Sequence, residues 1–153
     1  MSTTALLGVL VLVASGTVAG VLFSVALSVV PAFLALPPDR YVEVHKLIGR
    51  RFDRVMPPLV ATFTLLDLVL AATTHSVAGR VLLALAAVSG GGVAAVSQLG
   101  NVPINRRVKR MPAGGVPADW PDPRARWRRL HLVRTTLALL ALAANACALV
   151  LVR

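Results

Sequence analysis

Four long runs of apolar residues, each with few charges, dominate the pattern of this chain. A helix needs about 20 such residues to cross the hydrocarbon core of a bilayer, and each run is close to that length or longer. The pattern therefore predicts an all-α integral membrane protein, a four-helix bundle in which residues 1–153 form a single domain. The predicted spans are residues 6–36, 56–74, 77–100 and 130–152.

The segment between the first two spans has a helical pattern of its own. Its apolar residues recur at three- or four-residue spacing and share one helix face: Tyr41, Val44, Ile48 and Phe52. We predict an amphipathic cytoplasmic helix over residues 40–54, lying at the membrane interface or extending span two. Pro57 and Pro58 then open span two, since proline is tolerated in a first helical turn.

The formal net charge of +10 raises the question of nucleic-acid binding, and the placement of the charges argues against it. Thirteen of the sixteen Lys and Arg residues lie in residues 40–54 and 106–129, beside the apolar runs. Basic residues that flank spans stay on the cytoplasmic side, so we predict cytoplasmic basic segments and both termini outside. The expected partner is a lipid bilayer with anionic headgroups. The composition, rich in Ala, Val, Leu and Arg, favours a bacterial plasma membrane, and it does not indicate an oligomeric state.

Residues 106–129 are rich in proline and glycine as well as basic. This composition predicts a cytoplasmic loop, with Gly114 and Gly115 near its middle. From about Asp122 onward, we expect a helix that leads into span four.

Polar residues on the last span are the main candidates for a functional site. Trp127, His131, Arg134 and Asn145 fall within roughly 60° of one another on a helix that turns 100° per residue. Ionisable residues inside a span are costly and by default mark a function. Each residue also has a structural explanation: tryptophan is common at membrane interfaces, Arg134 is near enough to the end to reach the headgroups, and Asn145 can join two helices.

Further polar residues come from spans two and three. Span three ends in the string Gln98-Leu-Gly-Asn101-Val-Pro103-Ile-Asn105, whose amides can bond free carbonyls or a ligand. Asp67 is a single acid inside span two, and a structural and a functional role are both open for it. We predict a cavity on the cytoplasmic side with Asp67 and Asn145 toward its floor. One layer near the headgroups is predicted to hold Asn101, Asn105, Trp127, His131 and Arg134, together with His45 from the preceding cytoplasmic helix.

The order and spacing of several strings resemble a known family. The strings are Pro-Pro-Asp-Arg-Tyr-Val-Glu-Val-His (37–45), Arg-Arg-Phe-Asp-Arg-Val-Met-Pro-Pro (50–58), Asn-Val-Pro-Ile-Asn-Arg-Arg (101–107) and Trp-x3-His-x2-Arg (127–134). With them the chain resembles the anthrone oxygenase-like family of small four-span membrane proteins. Many members have no known function, and the group includes fungal anthrone oxygenases. The resemblance covers nearly the whole chain.

The resemblance implies an oxidoreductase of secondary metabolism that oxidises an anthrone, or a similar polycyclic aromatic, to a quinone. Dioxygen is the implied co-substrate, and no redox cofactor comes with the family. Residue chemistry is compatible with this reaction: His131 would take a benzylic proton as general base, and Arg134 with Asn101 or Asn105 would stabilise the oxygen anion. The residues expected to contact the hydrophobic aromatic substrate are Trp127, Asp67, Gln98 and Asn145.

Two other interpretations stay open. One is a metal-dependent membrane oxidase that uses His45, His131 and Glu43, because two histidines and a carboxylate can hold iron or copper. The other is a non-enzymatic four-span scaffold or a protein that transports a small solute, although the sequence lacks the inverted repeat that marks many transporters.

Overall fold

A computed structural model describes residues 3–112, 116–117 and 119–151 of the chain. Four helices make up the fold: α1 (Thr3–Ala35), α2 (Pro38–Thr73), α3 (Val77–Lys109) and α4 (Arg124–Leu151). All four are long and apolar enough to cross a membrane, α2 through its part Arg54–Thr73. The described residues include no strand. The predicted all-α membrane four-helix bundle is confirmed.

The helices pack as a square with alternating direction. Helix α1 packs against α2 and α4, and α3 packs against the same two helices, so α2 and α4 face each other across a diagonal. Short connections at residues 36–37 and 74–76 join antiparallel neighbours. We call the end of the bundle that carries residues 38–54, 106–110 and 124–129 the basic end. The other end, where residues 74–76 lie, is the opposite end.

Helices α2 and α3 approach each other closely at Gly90. A Cβ atom at this position would lie 2.7 Å from Cε2 of Phe63 and closer still to the hydroxyl of Thr64. Phe63 has no exposed surface and cannot easily move aside. The neighbouring Gly91 faces open space. Close packing of α2 and α3 therefore requires glycine at position 90 but not at position 91.

We expect Gly90→Ala to destabilise the bundle by about 1–3 kcal/mol, because an added methyl group forces the Phe63 ring out of a packed core. Gly91→Ala is the matched control. It should be neutral or stabilise the protein by up to about 1 kcal/mol, since alanine is the better helix former. Unfolding of both variants in mixed micelles measures the difference. Equal stabilities would contradict the close approach of α2 and α3.

Helix α2 distinguishes the two arrangements that the sequence left open for residues 40–54. Residues 38–54 continue without a break into span two, so they extend that span and do not form a separate amphipathic helix at the interface. Pro57 and Pro58 lie inside the helix, not in its first turn. The two missing N–H groups leave carbonyls of the preceding turn unbonded. Such a gap is tolerated near the start of a span, where water or side chains can satisfy those carbonyls.

Helices α1 and α3 each contain one π-helical turn, Val25–Val29 and Ser97–Asn101. In both cases a proline follows two residues later, Pro31 in α1 and Pro103 in α3. A proline ring clashes with the carbonyl four residues before it, and a wider turn moves that carbonyl away. Both wide turns pack against α4.

The connection between α3 and α4 falls partly outside the described residues. Residues 113–115 and 118 are not described, so the loop predicted around Gly114 and Gly115 lies outside the described part there. The described residues between Lys109 and Arg124 are non-helical, and α4 begins at Arg124. Helix α4 thus starts close to the predicted position.

Candidate functional site

His131 is the centre of a hydrogen-bonded group at the basic end, and it has no exposed surface. Its Nε2 atom lies 3.0 Å from the carbonyl oxygen of Leu22. Its Nδ1 atom lies 3.1 Å from Nε and 2.9 Å from Nη2 of Arg134. A carbonyl only accepts hydrogen bonds and a guanidinium only donates them. Nε2 therefore carries the proton, Nδ1 accepts, and His131 is a neutral ring with both nitrogens engaged.

Arg134 is fixed from two sides. Besides its two contacts with His131, it donates from Nη1 to the hydroxyl of Ser97 at 3.4 Å. Ser97 begins the π-helical turn of α3, so the wide turn brings one of the contacts that orient the guanidinium. Together, His131 and Ser97 orient the guanidinium of Arg134 beside the His131 ring.

Two asparagines of α3 hold Trp127. Asn105 accepts a hydrogen bond from the indole Nε1 at 3.0 Å, and the Asn101 amide donates to the Trp127 carbonyl at 3.2 Å. The indole stacks on the His131 ring, with centroids 5.2 Å apart and planes 10° from parallel. The structure therefore brings together Asn101, Asn105, Trp127, His131 and Arg134, as the sequence predicted.

A cleft that is partly open to the surroundings lies beside this group and encloses about 90 Å³ of space. Like most sites for small-molecule ligands, it has a mainly apolar lining with a few polar groups. Four side chains with polar atoms line it: His45, Asn105, Trp127 and Arg134. The rest of the lining is apolar apart from one glycine: Leu22, Val25, Val29, Phe33, Ile48, Gly49, Phe52, Met56 and Val102.

Aromatic rings form one wall of the cleft. The Phe33 ring stacks on His45 at 5.3 Å and 28°, and its centroid lies 5.5 Å from that of Trp127. Tyr41 meets both Phe33 and His45 edge to face, at 5.1 and 5.3 Å. The sequence interpretation missed Phe33 and used Tyr41 only as an apolar position. The available signal was Pro31, which marks the wide turn that precedes Phe33.

Arg124 ties the beginning of α4 to the end of α1. Its Nη1 atom donates to the carbonyls of Phe33 at 3.0 Å and Leu36 at 2.6 Å, which satisfies carbonyls at a helix C-terminus. Its guanidinium also lies over the Tyr41 ring, 5.4 Å from the centroid. Asp122 accepts from Nε at 2.7 Å, and this hydrogen bond holds the pKa of the Asp122 carboxyl below its ordinary value. The sequence interpretation did not single out Arg124.

Asp67 and Asn145 were predicted at the floor of this cleft, but neither residue lines it. Asn145 donates to Oδ2 of Asp67 at 3.4 Å, across the diagonal between α4 and α2. Asn145 lines a separate, largely apolar pocket that reaches the opposite end near Thr4 and Thr74. It lies eleven residues beyond Arg134, about 16 Å along the helix. The prediction was wrong because a shared helix face does not imply a shared depth.

We expect Asp67→Asn to leave turnover in the cleft unchanged within about twofold, because distant sites without shared partners act independently. The variant should also be at least as stable as the original, since Oδ1 of Asp67 has no partner and an amide brings no charge into the membrane interior. Turnover and unfolding measured on the same preparation test both points. A tenfold loss of turnover would contradict this and indicate that Asp67 belongs to the substrate site.

Two further predicted contacts are not formed. Gln98 is exposed and does not line the cleft, although it belongs to the same string as Asn101. The alternative metal set is not assembled either. Glu43 pairs with Arg40 at 2.9 Å, and both nitrogens of His131 have partners. Among the described residues, no three His, Cys, Asp or Glu side chains are placed to hold a metal ion.

Comparison with known proteins gives one match. A family model described as anthrone oxygenase matches residues 45–144, about two thirds of the chain. The matched range begins in α2 at His45 and includes every residue of the hydrogen-bonded group on α3 and α4. No curated protein and no solved structure matches.

Proposed function

Because this chain belongs to the anthrone oxygenase family, we propose that it oxidises an anthrone, or a closely similar polycyclic aromatic ketone, in the cleft at the basic end. At family level the chain is an oxygenase-like membrane protein. The proposed reaction converts the benzylic methylene of the substrate to a carbonyl. One atom of dioxygen enters the quinone and the other leaves as water.

The observation that carries the proposal is the cationic Arg134 on a cleft whose lining is mostly apolar and aromatic. When an anthrone loses a benzylic proton, the negative charge is delocalised onto its ketone oxygen. Fixed donors in a site with little water stabilise such developing charge far better than water-exposed donors do. Arg134 lines the cleft and is oriented by His131 and Ser97, so its guanidinium can donate to a substrate oxygen in the cleft.

The anion formed in this way is electron-rich enough to reduce dioxygen without a metal or a flavin. It passes one electron to dioxygen, and the resulting radical pair joins through a new carbon–oxygen bond. The peroxide then loses the second benzylic proton while its oxygen–oxygen bond breaks. Carbon is oxidised by four electrons and dioxygen is reduced by four, so no further reductant is needed.

The cleft also suits a substrate that dissolves in the bilayer. Ile48 and Phe52, both on its lining, are 37% exposed and lie on the outer surface of α2. A flat apolar molecule can reach the aromatic wall between α1 and α2 without passing through water. By the positive-inside rule, we place this end of the bundle on the cytoplasmic side.

Oxygen consumption and quinone formation by purified protein in lipid nanodiscs test the proposal. With an anthrone as substrate, we expect equal amounts of oxygen consumed and quinone formed, at a rate well above spontaneous autoxidation. Isotopically labelled dioxygen should place one labelled atom in each quinone. Nanodiscs without protein are the control. A rate no higher than this control would refute the oxygenase function.

A further inference from the structure

The reaction needs a group that accepts the benzylic proton, and His131 is poorly placed for it. Its Nε2 atom already carries a proton, and its Nδ1 lone pair is bonded to Arg134. To accept a proton, Nδ1 would have to release the guanidinium. An imidazolium and a guanidinium would then stand side by side in a buried site, which is costly. His131 is instead suited to position Arg134.

His45 lies where a base is needed. It is part of the cleft lining, and its ring is held on three sides by Phe33, Tyr41 and Trp127. The other polar groups on the described lining are the Asn105 amide, the Trp127 indole and the Arg134 guanidinium, none of which is a base at neutral pH. The nearby Tyr41 phenol is no substitute, because burial raises its pKa above the ordinary value and keeps it protonated.

The positions of His45 and Arg134 also match the shape of the substrate. In an anthrone, the ketone oxygen and the methylene carbon lie at opposite ends of the central ring. An oxygen-binding cation and a base must therefore come from different sides of the site. Arg134 belongs to α4 and His45 to α2, and these helices face each other across the bundle diagonal.

We propose, as an extension of the oxygenase function above, that His45 is the catalytic base and that Arg134 binds the ketone oxygen. His45 takes the first benzylic proton, and the carbon–hydrogen electron pair passes into the ring system. It returns this proton to the terminal oxygen of the peroxide. His45 then takes the second benzylic proton while the oxygen–oxygen bond breaks and hydroxide leaves. It passes this proton to the hydroxide, which becomes water.

Formation of the substrate anion without oxygen tests the role of His45 separately from the oxidation. Under anaerobic conditions, protein mixed with an anthrone should develop the absorption of the bound anion within the time of a normal turnover. His45→Phe keeps a ring stacked on Phe33 and removes the base. We expect it to slow anion formation and aerobic turnover by roughly 100-fold or more.

Two companion variants make the test specific. His45→Ala leaves space for a small base, so added imidazole should restore at least a tenth of the original rate. His75→Ala removes an exposed histidine at the opposite end and should change nothing. Restoration by imidazole would not follow if His45 acted only in packing.

The outcomes separate the two proposals. Anion formation that depends on His45, followed by no quinone when oxygen is admitted, would refute the oxygenase function and support the base. Normal turnover in His45→Phe would refute the base and leave the oxygenase function standing. An equally slow His45→Ala with and without imidazole, in folded protein, would also contradict the assignment.

Discussion

Replacement of Arg134 by glutamine should lower kcat/KM for quinone formation by about 100- to 1,000-fold, the usual effect of removing one strong oxyanion donor. Glutamine still donates hydrogen bonds but carries no charge to balance the substrate oxygen. Arg134→Lys should recover only a small part of the rate. A lysine keeps the charge but lacks the planar fork that contacts both His131 and Ser97.

Arg129→Gln is the matched control for this prediction. Arg129 lies on the same helix, is exposed and does not line the cleft. Its replacement removes the same charge from the basic end and should leave kcat/KM unchanged. If both variants lost activity equally, net charge at the membrane surface would explain the effect. If neither did, Arg134 would not be the group that binds the oxygen anion.

The second large effect is expected at His131. His131→Ala should lower turnover by at least about 100-fold, because Arg134 loses the acceptor that orients it. It should also destabilise the bundle by about 2–5 kcal/mol, since a buried ring is lost and the Leu22 carbonyl loses a donor. The amount of folded protein must therefore be measured beside the rate.

His131→Gln distinguishes positioning from base catalysis. A glutamine amide can donate to Leu22 and accept from Arg134, the two bonds that neutral His131 makes, but it cannot accept a proton. If His131 positions Arg134, this variant should keep turnover within about tenfold of the original protein. If folded His131→Gln is as inactive as His131→Ala, the general base is His131. That result would contradict the assignment of this role to His45.

The sequence predicted the four spans and the meeting of five polar residues because both depend on regular local features. The length of an apolar run decides whether a helix can span the bilayer. Antiparallel neighbours then bring the end of α3 to the same level as the start of α4. Asn101 and Asn105 on one side and Trp127 and His131 on the other therefore meet.

Three site residues, Asp67, Asn145 and Gln98, were misplaced because helical periodicity carries limited information. Asn145 shares a face with Arg134 but lies three turns deeper, so it borders another pocket. Gln98 lies within the π-helical turn Ser97–Asn101, where the helix no longer advances by 100° per residue. A regular helical wheel cannot represent such a turn. Only the proline after each wide turn indicated it in the sequence.

The roles of His45 and Arg124 depend on contacts between distant segments. His45 reaches the cleft because α2 continues unbroken through residues 38–54, whereas a separate interfacial helix would have left its direction open. Arg124 bonds carbonyls of Phe33 and Leu36, about ninety residues earlier in the chain. No local pattern encodes these pairings. They follow only from the packing of α1, α2 and α4 at the basic end.

The most direct test of the account is a structure of the protein with a dimethylated anthrone, which has no benzylic hydrogen and cannot react. We expect its ring system against Phe33 in the cleft, with the ketone oxygen about 2.7–3.1 Å from a guanidinium nitrogen of Arg134 and the dimethylated carbon toward His45. Density for the compound in the pocket beside Asn145, or in the cleft with its oxygen turned away from Arg134, would contradict the account.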